Sequence, residues 1–545
     1  MLQVSAIELL QKCYKSIADN MGNKGHIQKV YLIFILILTV FLYSNSIHNG
    51  FVNWDDDNSI LTNNDIRSFE KVHLFNMFNN SYNGMYQPVV MITFAINYAM
   101  HGLQPEGYHL TNLLFHLLNI ILLFIFVKML FRNNTLAAII ALIFAIHPLH
   151  VESVSWITER KDVVYAFFYL SSLIMYLWYI QSDFRKRFLF LAFLFFLFSL
   201  FSKTNAVTLP LIMIAIDMYY NRPKNRMAIF EKVFFLLFSI IFGLIAIKSQ
   251  EVLAAGIYKY VHYTIIDRLV IASHAFVFYI VKFIFPFHLS SLYPFPLKPD
   301  GFLPIHYYLS IVLLVAIVYI TIKLIRSRSI APESQKRIKF ASLFFLISIS
   351  IIIFIPVGKA DVADRYSYLP FIGLTLYFYT LIELLLKDRL KKTKIVAGVG
   401  VILLFSLLTF QRNKIWKDSS TLWTDVIEKY PAAELAYYGR GNYKQSVEDF
   451  KGALIDFNKS IDLNPNYSMS YNNRGAIKLY LKDFNGALKD INKAILLDPK
   501  DQWAYYNRAL VFLNQGLNNY ACTDLTKSAA LGNKNSIDLI KKFCK

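Results

Sequence analysis

The sequence predicts an all-α protein, with a polytopic bundle of membrane helices followed by a soluble α-solenoid of short helical repeats. Hydrophobic residues make up 56% of the 545 residues and charged residues only 17%, too few charges for a soluble protein of this size. Uncharged runs suited to crossing a bilayer recur through residues 29–411. A period of 34 residues then appears within residues 412–545, whose composition is that of a soluble domain.

The apolar runs and the charges between them predict about eleven membrane crossings. The runs lie at residues 30–47, 110–127, 136–146, 163–180, 188–202, 204–216, 233–247, 269–285, 307–322, 340–357, 368–386 and 395–410. Basic clusters predict cytoplasmic loops at residues 185–187, 222–226, 323–339 and 387–394. This topology places residues 1–28 at the cytoplasmic surface and residues 412–545 outside. The net charge of +20 therefore reflects membrane topology, since the sequence carries no nucleic-acid-binding motif.

Residues 412–545 carry the internal period of 34 residues. Four residue types keep this interval over three units. They are proline (Pro431, Pro465, Pro499), tyrosine (Tyr437, Tyr471, Tyr505), arginine (Arg440, Arg474, Arg508) and alanine (Ala453, Ala487, Ala521). The pattern resembles the tetratricopeptide repeat, in which each unit is a pair of antiparallel helices. It predicts three repeats after a partial leading unit, with a polar capping helix at residues 537–545. Such an array presents a concave face to peptides or partner proteins, or it only stabilises the end of the chain.

An acidic triplet, Asp55-Asp56-Asp57, follows the first apolar run and opens a long loop that reaches about His109. Carboxylates at the edge of the hydrocarbon are costly unless they face water and serve a function. The triplet therefore favours an active site embedded in the membrane at its outer surface. The alternative is a solvated, acid-rich turn.

The segment at residues 147–162 is dense in titratable side chains. His147, His150 and Glu152 have the ligand types of a Zn²⁺ or Mn²⁺ site, although their spacing fits a structural hydrogen-bond network better. Arg160 and Lys161 are candidates for binding phosphate, Arg160 through its bidentate fork. Their alternative role is ordinary charge at the membrane edge.

Polar residues also occur within or beside other apolar runs. His109, Asn112, His116 and Asn119 share one face of a predicted helix, a pattern typical of contacts between helices, with a substrate-facing wall as the alternative. Lys203 and Arg365 fall at the outer membrane edge in the predicted topology. A cation there either holds a lipid phosphate or extends to the interface without a specific function.

Several of these segments together resemble the transmembrane and tetratricopeptide-repeat-containing O-mannosyltransferase family and its bacterial relatives. The segments lie at residues 51–57, 86–88, 107–116, 147–162, 202–203 and 364–370. The resemblance extends from about residue 30 to the end, and it implies a fold of the GT-C glycosyltransferase superfamily. Members of that superfamily are multi-span inverting enzymes that use sugars linked to polyprenyl phosphate. Their acidic motif corresponds here to Asp55 and Asp56, with Asp57 outside it.

The resemblance implies a site in which Asp55 or Asp56 acts as general base on an acceptor hydroxyl. The cations expected to stabilise the departing lipid phosphate are Arg160, Lys161, Lys203 and Arg365. The residues expected to line the site are Tyr86, His147, His150 and Glu152. The chain departs from the family at Gln87, where relatives often have Arg before Pro88.

The predicted function is transfer of a sugar from a polyprenyl-phosphate donor to a hydroxyl acceptor, in particular protein Ser or Thr. No cofactor is required by this prediction, although a divalent metal is compatible with it. The expected partners are membrane lipid, the lipid-linked sugar and a protein acceptor held by the repeats. The predicted location is an inner membrane, with the repeats on its periplasmic side. The sequence leaves open whether Cys522 and Cys544 pair, as they could if that side is oxidising. The alternatives are a non-enzymatic membrane scaffold and, less well supported, a transporter.

Overall fold

The computed structural model describes residues 24–223, 225–257, 263–298, 301–354, 360, 362–386 and 391–544. Contacts divide the chain into two compact units, Met1–Gly50 with Asp56–Lys414 and Phe51–Asp55 with Ile415–Lys545. Parts of several predicted segments lie outside the described residues, namely residues 1–23 of 1–28, 224 of 222–226, 355–357 of 340–357, 387–390 of 387–394 and 545 of 537–545. The described residues are helical, with isolated bridges at Tyr82–Met85 and Pro294–Ala360, and the predicted all-α class is confirmed.

The first unit is built from helices α1 to α15 and from short turns of other helix types. The α-helices are α1 (Lys24–Tyr43), α2 (Lys71–Asn79), α3 (Pro88–His101), α4 (Pro105–Phe131), α5 (Asn134–Ile146), α6 (Val151–Ser155), α7 (Arg160–Gln181), α8 (Lys186–Leu200), α9 (Leu209–Tyr219), α10 (Arg226–Ile257), α11 (Ile265–Ile284), α12 (Ile305–Arg326), α13 (Pro332–Phe354), α14 (Phe371–Leu385) and α15 (Lys391–Asn413). A π-helical turn covers Asp57–Leu61, and 3-10 turns cover Ser44–His48, Asn64–Ile66, Pro148–His150, Ile157–Glu159, Thr204–Thr208 and Asp364–Ser367.

Six helices of the described residues are long and apolar enough to cross a membrane. They are Lys29–His48, Pro105–Phe131, Ile157–Gln181, Arg226–Ser249, Ile305–Arg326 and Ile395–Trp416. A seventh span is obtained if the pair Asn134–Ile146 and Pro148–Ser155, bent by 57°, is taken as one. These helices are those of a multi-pass membrane protein, while the predicted count of about eleven crossings stays a prediction.

Helix α7 lies at the centre of the packing in the first unit. It contacts α4 and α8, while α4 also packs on α5, and α13 packs on α14 and α9. The contact of α13 with α14 is close because Gly373 has no side chain. A Cβ atom there would lie 2.6 Å from the backbone nitrogen of Phe345 and 2.7 Å from the carbonyl oxygen of Ala341. Helix α7 and its neighbours thus form the packed framework for the segment that precedes α7.

Helix α10 presents an apolar side outward from the first unit. Phe230, Phe234 and Leu244 are between 63% and 70% exposed. Apolar side chains this exposed on a span-length helix are typical of a surface in contact with lipid.

The second unit contains helix pairs that repeat every 34 residues, as the sequence period predicts. The helices are α16 (Ser419–Lys429), α17 (Glu434–Ser446), α18 (Phe450–Leu463), α19 (Ser468–Tyr480), α20 (Phe484–Leu497), α21 (Gln502–Asn514), α22 (Asn518–Ala530) and α23 (Asn535–Phe543). The two helices of each pair are joined by an arginine–aspartate ion pair at the same position of the repeat. These pairs are Arg440 with Asp456, Arg474 with Asp490, and Arg508 with Asp524.

Three further contacts complete the second unit. The segment Phe51–Asp55 joins it through Asn53, whose side-chain amide donates to the Gly439 carbonyl at 2.8 Å. Trp54 stacks on Trp423 with ring centroids 4.8 Å apart. At the other end, a disulfide joins Cys522 to Cys544, a pairing that the sequence left open.

Candidate functional site

The segment at residues 147–162 forms a chain of short helical turns inside the first unit. A 3-10 turn, the short helix α6 and a second 3-10 turn precede the first residue of α7, Arg160. All residues from 147 to 162 are buried. The helix axis bends by 57° between α5 and the start of this segment, and polar groups of the segment contact Asp56, Arg365 and Lys203. The segment therefore supplies polar groups to several contacts at once.

Asp56 lies against this segment and is 1% exposed. Its Oδ1 atom accepts hydrogen bonds from the indole N–H of Trp156 at 3.1 Å and from the backbone N–H of Thr158 at 3.1 Å. The Thr158 hydroxyl donates to the same oxygen. The predicted acidic motif thus contributes a buried carboxylate to the same part of the unit as residues 156–158. Its neighbour Asp57 is half-buried, and burial raises the pKa of the Asp57 carboxyl.

Three of the four predicted phosphate-binding cations gather around one carboxylate, Glu159. The distances to Glu159 oxygens are 2.8 Å from Lys161 Nζ, 3.9 Å from Lys203 Nζ and 3.4 Å from Arg365 Nε. Glu159 is 1% exposed, so its charge is stabilised by these cations rather than by water. Lys161, Lys203 and Arg365 come from three separate parts of the chain.

Two further carboxylates complete what we call the charge cluster, defined as Glu152, Glu159, Asp162, Lys161, Lys203 and Arg365. Glu152 Oε1 lies 2.5 Å from Arg365 Nη1, and Asp162 accepts from Lys203. Burial disfavours the charge of Arg365, but Glu152 and Glu159 beside it raise its pKa well above the ordinary value. Three positive and three negative groups face one another in this cluster.

The ring of Trp156 links Asp56 to the charge cluster. Lys161 Nζ lies 5.5 Å from the ring centroid, and the guanidinium carbon of Arg365 lies 5.5 Å from it as well. Cations at this distance from an indole are attracted by the electron density of the ring. The same indole donates its N–H to Asp56. One aromatic side chain therefore lies between the predicted base and two of the predicted phosphate ligands.

Arg160, the fourth predicted phosphate ligand, has a different environment. It is fully buried, and its Nε and Nη2 atoms donate at 2.7 Å to the Asn112 side chain and to the Tyr108 carbonyl. Its Nη1 atom donates to Asn97 and to a backbone carbonyl of α3. These contacts support a role for Arg160 in joining α3 and α4 to α7 rather than in binding phosphate.

His147 and His150 each bind a backbone carbonyl. His147 Nε2 lies 3.0 Å from the Phe283 carbonyl, and His150 Nδ1 lies 2.7 Å from the Phe144 carbonyl. Glu152, the third member of the possible metal site, pairs with Arg365. Within the part of the chain that the structure describes, no group of three or more His, Cys, Asp or Glu side chains is arranged to hold a metal ion.

The polar stripe on α4 joins helices, in agreement with the first of its two interpretations. Asn112 donates to the Trp156 carbonyl at 3.0 Å, and Asn119 donates to the Val163 carbonyl at 2.8 Å. His116 Nδ1 lies 2.7 Å from the hydroxyl of Tyr368. His109, at the start of the stripe, is 2% exposed. The stripe fixes the position of the segment that carries Trp156.

Tyr86 lines a cavity of about 120 Å³ together with Lys203 and Tyr366. The other walls of this cavity are largely apolar and include Gly243, Ile247 and Ile351. Tyr86 packs against the rings of Phe201 and Phe242 at centroid distances of 6.3 and 6.1 Å. The cavity thus brings one cation of the charge cluster beside the outward-facing helix α10.

Four residues of this arrangement were not singled out from the sequence. Glu159 and Asp162 flank Arg160 and Lys161, and opposite charges beside one another in a buried run are a signal for mutual pairing. Trp156 and Thr158 gave no such signal. Their partner Asp56 lies about a hundred residues earlier, and no local pattern connects the two segments.

No protein-family model matches the chain. The human protein O-mannosyl-transferase TMTC3 is 33% identical over 144 residues, which cover 25% of this chain and 15% of that protein. Tmtc2 from Xenopus laevis is 35% identical over 150 residues, which cover 26% of this chain and 18% of that protein. Protein O-mannosyl-transferase F38B6.6 from Caenorhabditis elegans is 26% identical over 473 residues, covering 82% of this chain and 64% of its own length. The predicted resemblance to these transferases is confirmed, although the chain matches less than two thirds of each relative.

A solved structure, the oligosaccharyltransferase of Archaeoglobus fulgidus in its apo form, shows a weaker likeness. Its TM-score is 0.38 and its sequence identity is 14%. The superposition covers 73% of this chain and 57% of that one.

The central place of Glu159 predicts that Glu159→Gln lowers stability by about 3–5 kcal/mol, since the change leaves three cations facing two carboxylates. Thermal unfolding in detergent, followed by tryptophan fluorescence, measures the effect. Glu383→Gln is the matched control, because the Glu383 side chain is 45% exposed in its pair with Arg337. That control is expected to change stability by about 0–1 kcal/mol. Equal midpoints for the two variants would contradict the role given to Glu159.

Proposed function

We propose that the protein is an integral-membrane glycosyltransferase that moves a sugar from a polyprenyl-phosphate donor to a hydroxyl group of a protein acceptor. The observation that carries the proposal is the arrangement around Trp156, where the Asp56 carboxylate lies on one side and Lys161 and Arg365 lie against the ring. A base and a group of cations at short range are what transfer from a phosphate leaving group requires. The resemblance to O-mannosyl-transferases supports the same reaction class.

The proposed step is a single displacement with inversion at the anomeric carbon. The acceptor hydroxyl oxygen attacks that carbon, and its proton passes to the carboxylate of the Asp55-Asp56 motif. The bond from the sugar to the phosphate oxygen breaks, and its electron pair stays on the departing polyprenyl phosphate. General-base assistance contributes roughly 10²–10⁴-fold in rate. Lys161, Lys203 and Arg365 would stabilise the added negative charge on the phosphate.

The carboxylates of the charge cluster have a defined part in this reaction. Glu152, Glu159 and Asp162 hold the three cations in place before the donor arrives. Groups that are already oriented lose little entropy and reorganise little when charge develops on the phosphate. The carboxylates also balance the cations, so the cluster does not require an anion in order to be stable.

The cavity lined by Tyr86, Lys203 and Tyr366 is the proposed position of the donor phosphate. At about 120 Å³ it is smaller than the roughly 300–1,000 Å³ of sites for drug-sized ligands. It therefore suits the phosphate and the first carbons of the lipid, while the rest of the polyprenyl chain would lie along the outward side of α10. Phe230 and Phe234 on that side offer an apolar surface to the lipid.

The second unit is proposed to be a tetratricopeptide array that holds the protein acceptor. A groove of about 520 Å³ in this unit is lined by side chains that include Asn472, Asn473, Gln502, Trp503 and Asn507. Each amide side chain both donates and accepts, so such a row can pair with the main chain of an extended segment. Asn507 already donates to Asn472 at 2.9 Å, which keeps the row ordered.

The proposed location is the inner membrane, with the second unit on the periplasmic side. The Cys522–Cys544 disulfide supports this side, because disulfides persist in oxidising compartments. The acidic motif would then face the compartment from which a secreted acceptor is reached.

Replacement of the acidic motif tests the proposed chemistry. Asp55→Asn and Asp56→Asn are made separately, and transfer is assayed with a radiolabelled polyprenyl-phosphate mannose and a Ser/Thr-rich protein acceptor. Loss of the base is expected to lower the rate by about 10²–10⁴-fold in at least one variant. Asp57→Asn is the control, since Asp57 lies outside the motif, and it should keep most of the activity. Full activity in both motif variants would refute the assignment.

Filling the cavity tests the position of the donor. Gly243 lines the cavity, and no neighbouring atom lies within 4 Å of the place where its Cβ would be. Gly243→Leu should therefore occupy the space without a clash, keep the thermal midpoint and raise the KM for the lipid donor at least tenfold. Gly400→Leu is the control, because Gly400 has the same free space on α15. An unchanged donor KM in Gly243→Leu would place the donor elsewhere.

The groove of the second unit makes a separate prediction. Asn473→Ala and Asn507→Ala remove amides that line the groove, and they are expected to raise the KM for a protein acceptor several-fold. Transfer to a short soluble acceptor should stay unchanged, since a small molecule does not need the groove. Asn514→Ala is the control at an exposed position of α21. Equal acceptor KM values in all three variants and the wild type would remove the groove from the mechanism.

A further inference from the structure

We propose that Trp156 and Thr158 are positioning residues that orient the Asp56 carboxylate for the transfer reaction. This inference rests on the proposed function, because it assigns roles within the same site. Asp56, Trp156 and Thr158 are each 1% exposed, so their contacts with one another are not exchanged with solvent.

The three donors from Trp156 and Thr158 converge on a single oxygen of Asp56. The Trp156 indole N–H and the Thr158 backbone N–H lie 3.1 Å from Oδ1, and the Thr158 hydroxyl donates to it as well. Donors gathered on one oxygen fix the rotation of the carboxyl group about the Cβ–Cγ bond. The orientation of the other oxygen, Oδ2, is then set by the same bonds. A base held in one orientation is worth more in a transition state than one that rotates freely.

The position of Trp156 argues for more than packing. Its N–H points to Asp56, while Lys161 and Arg365 lie against its ring at 5.5 Å. A phenylalanine at this position would keep an aromatic ring beside the cations, but it would lose the hydrogen bond to Asp56. The Trp156 side chain therefore makes two separate contacts, one with Asp56 through its N–H and one with the cations through its ring. Trp156→Phe removes the first and so tests it.

Thr158 offers a second, independent test of the same contact. Its backbone N–H stays in place whatever the side chain is, but the hydroxyl can be removed or kept. Valine has nearly the shape of threonine and lacks the hydroxyl, whereas serine retains it. Packing alone predicts that valine is tolerated better than serine, while positioning predicts the opposite.

Other charged groups also act on Asp56 and must stay constant in the test. They are Arg160, whose charge is attracted to Asp56, the cations Lys161 and Arg365 across the indole, and the chain neighbours Asp55 and Asp57. None of these is changed by substitution of Trp156 or Thr158. A shift in the pH profile of either variant therefore reports on the lost hydrogen bond.

The experiment measures kcat, the donor KM and the pH profile of full-length Trp156→Phe, Thr158→Val and Thr158→Ser, with radiolabelled polyprenyl-phosphate mannose as donor. A hydrogen bond to the carboxylate favours its charged form, so the loss of one bond should move the acid limb of the profile to higher pH by roughly one unit. We expect kcat to fall about tenfold in Trp156→Phe and Thr158→Val, with the donor KM nearly unchanged and with Thr158→Ser close to the wild type. Trp178→Phe, at a tryptophan outside the site on α7, is the control for the ring change.

Wild-type pH profiles in both Trp156→Phe and Thr158→Val would overturn the inference while leaving the proposed function intact. A Thr158→Ser variant as impaired as Thr158→Val would also overturn it, because the hydroxyl would then not matter. If Thr158→Val does not fold, as shown by gel filtration, Trp156→Phe decides the question. A wild-type protein without transfer activity would refute the proposed function, and the inference with it.

Discussion

The burial of three carboxylates is the constraint on which the rest of the first unit depends. Glu152, Glu159 and Asp162 are each 1% exposed. A buried charge without a partner costs several kcal/mol, so the fold must bring cations to them. Lys161 precedes Asp162 on the same helix, but Lys203 follows α8 and Arg365 precedes α14. The pairing requirement therefore fixes three separate elements of the chain against one another.

The same constraint shapes what the site can do. Since the cations are balanced by carboxylates, they are held at fixed positions without an anion, and this is the condition for stabilising charge that appears only during a reaction. Trp156 connects the charge cluster to Asp56. Its indole N–H donates a hydrogen bond to Asp56, and Lys161 and Arg365 lie against its ring. The predicted base and the predicted phosphate ligands thus pack against the same side chain. A substitution at one of them is therefore expected to alter the position of the other.

The second unit meets a similar constraint by repetition. Asp456, Asp490 and Asp524 are each buried, and each receives an arginine from the preceding helix. The sequence interval of 34 residues repeats this pair along the unit, so each helix pair is stabilised in the same way. Arginine suits this role because its planar fork meets both oxygens of a carboxylate.

The sequence by itself determined the features that arise from local patterns. Apolar runs and the 34-residue period predicted helices and repeated helix pairs, because both depend on residues near one another in the chain. The density of polar groups at residues 147–162 pointed to the segment that carries most of the charge cluster. Tertiary structure alone decided the partners. The residue type of Arg160 predicted a phosphate ligand. In the structure its guanidinium donates hydrogen bonds to the Asn112 side chain and the Tyr108 carbonyl. The contact of Asp56 with Trp156 crosses 100 residues and depends on helix packing that no local period encodes.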